Sequence, residues 1–313
     1  MYFPYLRGRQ FELIAIRELI ENSLMGDKVI PIIEPVKMSS TLVKTLVAFS
    51  DNKKNISFIY NPQVGNFSTD TKKDANTKQL EQLKEVIKKP NIIDTHYLCK
   101  NSERTLKNWF EKGRNVSDIM IIANDEDVLP IYAELFANDT PRFTLIKDET
   151  EFRSEVHYNR VLMANKFKKQ SRNTDYAKKE DEPFSNDHLY YKNDGYVGFS
   201  DYSIVGDDYI DTGFAPYAVA IHIVYFDENK KLRVKHFISD TNDDISDPAR
   251  KFAEAVTKLI KWNEVAKLDT YAMKQFTDLC YNETYPGLGT VKKLSLMHHI
   301  ELMSDFLDKE TSR

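Results

Sequence analysis

Tyr2-Phe3-Pro4-Tyr5-Leu6-Arg7 and, after one intervening segment, Val29-Ile30-Pro31-Ile32-Ile33-Glu34 decide how this chain is read. Each run is apolar, rich in aromatic or β-branched residues, too short for a helix, and closed by a charged residue. Between them, residues 10–25 place Phe11, Leu13, Ile14, Ile16, Leu19 and Ile20 at helical spacing and stop at Gly26. A run that is apolar at every position, not only at alternate ones, is what a strand covered on both faces requires. That pattern belongs to parallel sheets flanked by helices.

The same unit recurs outward from this start. Further runs are Ile56-Ser57-Phe58-Ile59-Tyr60-Asn61, Ile92-Ile93-Asp94-Thr95-His96, Ile119-Met120-Ile121-Ile122-Ala123-Asn124, Phe143-Thr144-Leu145-Ile146-Lys147 and Val161-Leu162-Met163-Ala164-Asn165-Lys166. Helix-like stretches separate them at residues 40–49, 74–89, 102–113, 126–137 and 150–158, the one at 74–89 ending before Pro90. Strict alternation means repeated βα units. It fits an open doubly wound sheet or a closed barrel. Arg7-Gly8-Arg9 is no dinucleotide-binding glycine turn. An eighth strand is available in Tyr196-Val197-Gly198-Phe199-Ser200-Asp201-Tyr202, with an amphipathic helix later at residues 248–267. Both points favour a TIM-like (β/α)8 barrel, read as one domain over residues 1–313. Residues 168–193, polar and charged, read as a loop or lid before strand eight. Residues 217–239 read as an inserted β-hairpin turning at Asp227-Glu228-Asn229-Lys230. Residues 270–313 read as a C-terminal helical extension.

Bulk properties narrow the function classes. The 313 residues are 41% hydrophobic, enough for a real core, and the formal net charge of −4 offers nucleic acid and anionic membranes no global attraction. No apolar stretch has the length of a membrane span. Cys99 and Cys280 match no metal or redox spacing, which suggests a reducing cytoplasm. His298-His299 are neighbours that point about 100° apart on a helix, so they do not share a metal. No metal motif, phosphate-binding glycine loop or nucleophile elbow is present.

In a barrel of this kind, side chains at the C-terminal ends of the strands form the site. Those ends supply Arg7, Glu34, Tyr60, Asn61, His96, Asn124, Lys147, Lys166 and Asp201. Glu34 closes an apolar strand, where a partly desolvated carboxylate suits acid–base work. With Arg7, His96 and Asp201 it forms the candidate catalytic set. Lys147, Lys166, Asn61, Asn124 and Tyr60 are the candidate ligand-binding set, and Arg7, Lys147 and Lys166 suit a phosphate or carboxylate. Each has a plainer explanation. Glu34 and Arg7 make a structural ion pair, the lysines neutralise nearby acids, and a lone strand-end histidine is a packing residue.

Tyr2-Phe3-Pro4-Tyr5-Leu6-Arg7-Gly8, then Phe11-Glu12-Leu13 and Ile30-Pro31-Ile32-Ile33-Glu34-Pro35, resembles the phage beta protein family. The likeness is to a bacterial branch that begins with a Tyr-x-Pro-Tyr-Leu-Arg-Gly signature, and it returns at Gly198-Phe199-Ser200-Asp201-Tyr202. The resemblance implies a barrel-like α/β fold in an anti-phage defence or phage–host conflict system, beside a nuclease-like partner encoded alongside. It implies no catalytic residues. Two functions are therefore expected. One is a barrel that binds a partner or small anionic ligand at its rim. The other is a hydrolase or lyase acting on a phosphorylated or nucleotide-like small molecule, with Glu34 as acid/base.

Overall fold

The computed structural model describes residues 1–211 and 216–311. Eight parallel strands close into a TIM-like barrel: β1 (Tyr2–Leu6), β2 (Ile32–Ile33), β3 (Ile56–Ile59), β4 (Ile92–Tyr97), β5 (Met120–Ala123), β6 (Phe143–Ile146), β7 (Arg160–Ala164) and, beyond an excursion that includes β8 (Asp181–Ser185), β9 (Gly198–Asp201). The last of these pairs with both β7 and β1 and closes the ring. Strand β2 is far shorter than its apolar run because Pro31 has no N–H to donate. Its neighbours still use the run: Ile30 N–H bonds Tyr2 O at 2.9 Å, Ser57 N–H bonds Pro31 O at 2.9 Å, and Glu34 N–H bonds Leu6 O at 2.9 Å. The ladder thus persists to Glu34 and carries the carboxylate to the rim.

The register fixes which side chains face the lumen. Phe3 of β1 meets Phe143 of β6 edge-on at 4.9 Å, a contact between strands that are not neighbours and so made across the interior. In-register partners in a parallel sheet share a face, and faces alternate along each strand. Tyr5 pairs with Ile32, Ile32 with Ser57, Thr95 with Met120, and Met120 with Phe143. The lumen therefore holds Phe3, Tyr5, Ser57, Thr95, Met120 and Phe143. Ser57 and Thr95 satisfy one another there at 2.6 Å. Gly198 fits because it lacks a side chain: a Cβ would lie 2.6 Å from the Phe3 ring.

The chain divides into two compact units. The barrel unit comprises Met1–Leu13, Asp27–Ala164 and Asp187–Asp201; the second comprises Ile14–Gly26, Asn165–Asn186 and Tyr202–Arg313. The second unit holds an antiparallel sheet ordered β10 (Ala220–Phe226), β11 (Leu232–Ile238), β8. Helices Pro248–Ala266, Tyr271–Tyr281 and Leu288–Thr311 accompany it. This changes three expectations. The hairpin is present, but as part of a three-stranded sheet and not an isolated insertion. Its third strand comes from within residues 168–193, which form a 3-10 segment (Asn173–Lys179), β8 and the short helix Asp187–Tyr190 in place of a lid. The 248–267 helix belongs to the second unit and not to the barrel's helix ring. The cause is pairing: β11 offers an edge, and Arg233 and Lys235 draw Asp181 of β8 to within 2.7 and 3.8 Å. The C-terminal extension is helical to Thr311; its last two positions lie outside the described residues.

Candidate functional site

At the barrel rim the most connected group is Glu34. Its side chain has no exposed surface. It accepts hydrogen bonds from the Tyr5 hydroxyl at 2.7 Å and the Gln63 backbone N–H at 2.6 Å, and it pairs with the Arg7 guanidinium. Each partner has a structural cause. Tyr5 and Arg7 share the lumen face of β1, two residues apart, and the β1–β2 register sets Arg7 opposite Glu34. Gly8, with φ of +60°, turns the chain directly after Arg7; a Cβ there would lie 3.0 Å from the Glu34 carbonyl oxygen. The guanidinium also lies 5.3 Å from the Tyr5 ring centroid, and its side chain is 12% exposed.

Tyr97, the lumen-facing end of β4 and not one of the nine strand-end candidates, joins this group. Burial raises its hydroxyl pKa, and the Glu34 and Asp125 charges raise it further, while a hydrogen bond from Asn124 and the Arg7 charge act the other way. Asn61 fixes the Tyr97 backbone on both sides: its amide donates to Tyr97 O at 2.7 Å and accepts from Tyr97 N–H at 2.8 Å. The signal for Tyr97 was parity. Counting by twos from Thr95 along β4 arrives at it, whereas the run Ile92-Ile93-Asp94-Thr95-His96 stops one residue short.

The nine sequence-chosen residues therefore separate. Arg7, Glu34, Asn61 and Asn124 lie with Tyr5 and Tyr97 on the lumen side. Tyr60 and His96 have the opposite parity and face the helix layer. Tyr60 donates to Asp94 at 2.8 Å and meets Trp109 edge-on at 5.1 Å. His96 shares a 2.8 Å hydrogen bond with Ser102 Oγ and packs against Trp109 at 5.5 Å; burial pushes its pKa down to about 4, so it is neutral near pH 7. Asp201 accepts from the Tyr2 hydroxyl at 2.9 Å on the outer face of β1 and β9. The Lys147 ammonium lies over the Phe152 ring, 5.7 Å from its centroid. Lys166 lies two residues past β7, in the second unit.

Among the described residues, one trio of acids, Glu126, Glu149 and Glu151, brings carboxylate oxygens within 4.8 Å of one another; all three are exposed, Glu126 opening the 3-10 turn after β5, Glu149 preceding helix Thr150–Glu155 and Glu151 in its first turn. No described helix is long and apolar enough to cross a membrane. No protein-family model, curated protein or solved structure matches this chain.

Proposed function

We propose that the barrel rim is a recognition surface, and that the chain holds a ligand or partner there without acid–base chemistry at Glu34. The observation that carries this reading is the engagement of Glu34 by three donors in a site with no exposed carboxylate surface. A general base must reach its substrate's proton at hydrogen-bond distance. Glu34 instead spends its lone pairs on the barrel and orients Arg7. For a ligand the rim presents the partly exposed guanidinium, the Tyr97 hydroxyl and the Asn124 amide. Such donors suit a carboxylate, a phosphate or a backbone carbonyl. The N-terminal resemblance to the phage beta protein family supplies the setting: a component of bacterial anti-phage defence, with a nuclease-like protein encoded alongside as the partner.

The test is affinity capture of that neighbouring protein by the tagged full chain, with plaque counts on cells carrying the locus. Asn124→Ala is expected to lose both retention of the partner and protection with Tm unchanged, and Arg7→Lys, which keeps a cation for Glu34, to lose both at a small cost in Tm. Turnover of a phosphorylated small molecule that Glu34→Gln abolishes at unchanged Tm would overturn the reading in favour of a hydrolase or lyase.

A further inference from the structure

A groove of about 660 Å3 opens on the outer side of the barrel unit; Tyr60 lines it, whereas Glu34, Arg7, Tyr5 and Tyr97 do not. Its walls are the end of helix Thr77–Val86 with the residues leading into β4, the turn after helix Ser102–Glu111, and the approaches to β5 and β6. We propose that it is a binding site for a small phosphomonoester.

Charge is the first argument. Lys84, Lys88, Lys89, Arg114 and Arg142 line the groove, against the carboxylates of Glu85, Asp94 and Asp118. Two of the five cations are engaged: Lys88 with Glu85 at 2.7 Å and Arg114 with Asp94 at 2.7 Å. Lys84 and Lys89 make no ion pair among the described residues, and Arg142 lies over the Phe143 ring at 5.7 Å, on no carboxylate. The surplus of two positive charges matches a phosphate dianion.

The second argument is preorganisation. Arg114 is held 4.1 Å over Trp109 and 4.9 Å over Tyr60, and Asp94 fixes it while accepting from the Tyr60 hydroxyl. A guanidinium clamped in this way loses little freedom when it meets an anion. The third is size: pockets that hold small ligands run from about 300 to 1,000 Å3.

Lysines in the last turn of a helix or just beyond it also offset its C-terminal dipole, which would account for Lys84 and Lys88 without a ligand. Arg142 does not fit that account. It precedes β6 and comes to the groove from a different wall. Cations from separate segments turned on one cavity point to an anion within it.

Calorimetric titration of the full chain with inorganic phosphate, ribose 5-phosphate and AMP tests the proposal, with ribose and adenosine as neutral controls. At least one phosphorylated probe is expected to bind saturably at one site, and the neutral probes not at all. The probe that binds most tightly distinguishes free phosphate, sugar phosphate and nucleotide as the source. Lys89→Gln/Arg142→Gln is expected to weaken binding by about tenfold or more. Lys231→Gln, the one-charge change of Lys89→Gln made at an exposed position of the second unit, leaves it intact. The single variant Lys89→Gln gives the same direction should the double variant fold poorly. Failure of all three phosphorylated probes to bind overturns the proposal. So does binding that survives the groove variants, or that Lys231→Gln weakens equally.

Discussion

Glu34 shows how one carboxylate can be read two ways until its partners are known. A charged residue closing an apolar strand suggests chemistry, but three donors converge on it and Arg7 is held in return. Removing a buried ionic partner strands the other, so the pair's structural value appears on truncation. Glu34→Ala should cost the barrel about 3–5 kcal/mol in urea unfolding, because the Arg7 guanidinium and the Tyr5 hydroxyl lose their acceptor. Glu34→Gln, which keeps an acceptor oxygen for Tyr5 and Gln63, should cost less. Equal and small losses for both variants would show that the ion pair does not hold the rim.

At the level of the strand, parity decides more than proximity in sequence. Asp94, Thr95, His96 and Tyr97 are consecutive, yet Asp94 meets Tyr60 and Arg114 and His96 meets Trp109 outside the barrel, while Thr95 meets Ser57 inside it. The same alternation makes Gly198 indispensable to closure, since β9 must pass the Phe3 ring and the Met1 carbonyl where any Cβ would lie 2.6 and 2.8 Å away. Gly198→Ala should therefore destabilise the protein by about 1–3 kcal/mol, the usual range for overpacking a filled core. Thermal unfolding checks this, and Phe3→Leu in the same chain should recover part of the loss. An additive double variant would place the strain elsewhere.

Across the whole molecule, buried neutral histidines link stability to pH in both units. In the barrel unit burial holds His96 at about 4; in the second it holds His298 at about 4, where His298 meets Thr270 Oγ1 at 2.8 Å and Val224 O at 2.7 Å. His222 and His236 lie opposite each other on β10 and β11, their Nδ1 atoms 2.7 Å apart, and burial lowers both. A folded pKa below the unfolded value of about 6.5 means that the unfolded chain binds more protons as pH falls. The stabilisation is complete above about pH 6.5 and is lost progressively as pH falls toward 4. For His96 and His298 it amounts to roughly 3 kcal/mol each. Asp94 and Glu301, raised by burial, act in the opposite direction and offset part of it. Urea midpoints measured from pH 7.5 to 4.5 should fall, and His298→Asn should flatten the curve. A midpoint indifferent to pH over that range would exclude the histidine linkage.

The sequence by itself determined the barrel, because burial of parallel strands on both faces leaves a local mark. Ile32-Ile33 and Ile121-Ile122 are apolar without alternation, the intervening helices carry one apolar stripe, and neither signal needs long-range knowledge. It also separated His298 from His299, which reach Thr270 and Ser203 respectively. Rim membership was legible for Arg7 and Glu34, whose strands end where the apolar runs end. It was not legible for Tyr97, nor for the outward turn of Tyr60 and His96. A strand's facing depends on register with its neighbours, and a shift of one residue reverses every side chain. Only the tertiary structure decided that residues 168–193 supply a strand. The run 181–185 carries one large apolar side chain, Phe184, too little to mark a strand locally, and it becomes β8 where Arg233 and Lys235 of β11 stand beside Asp181. Local pattern specifies what each segment buries; long-range pairing specifies which face it shows and to whom.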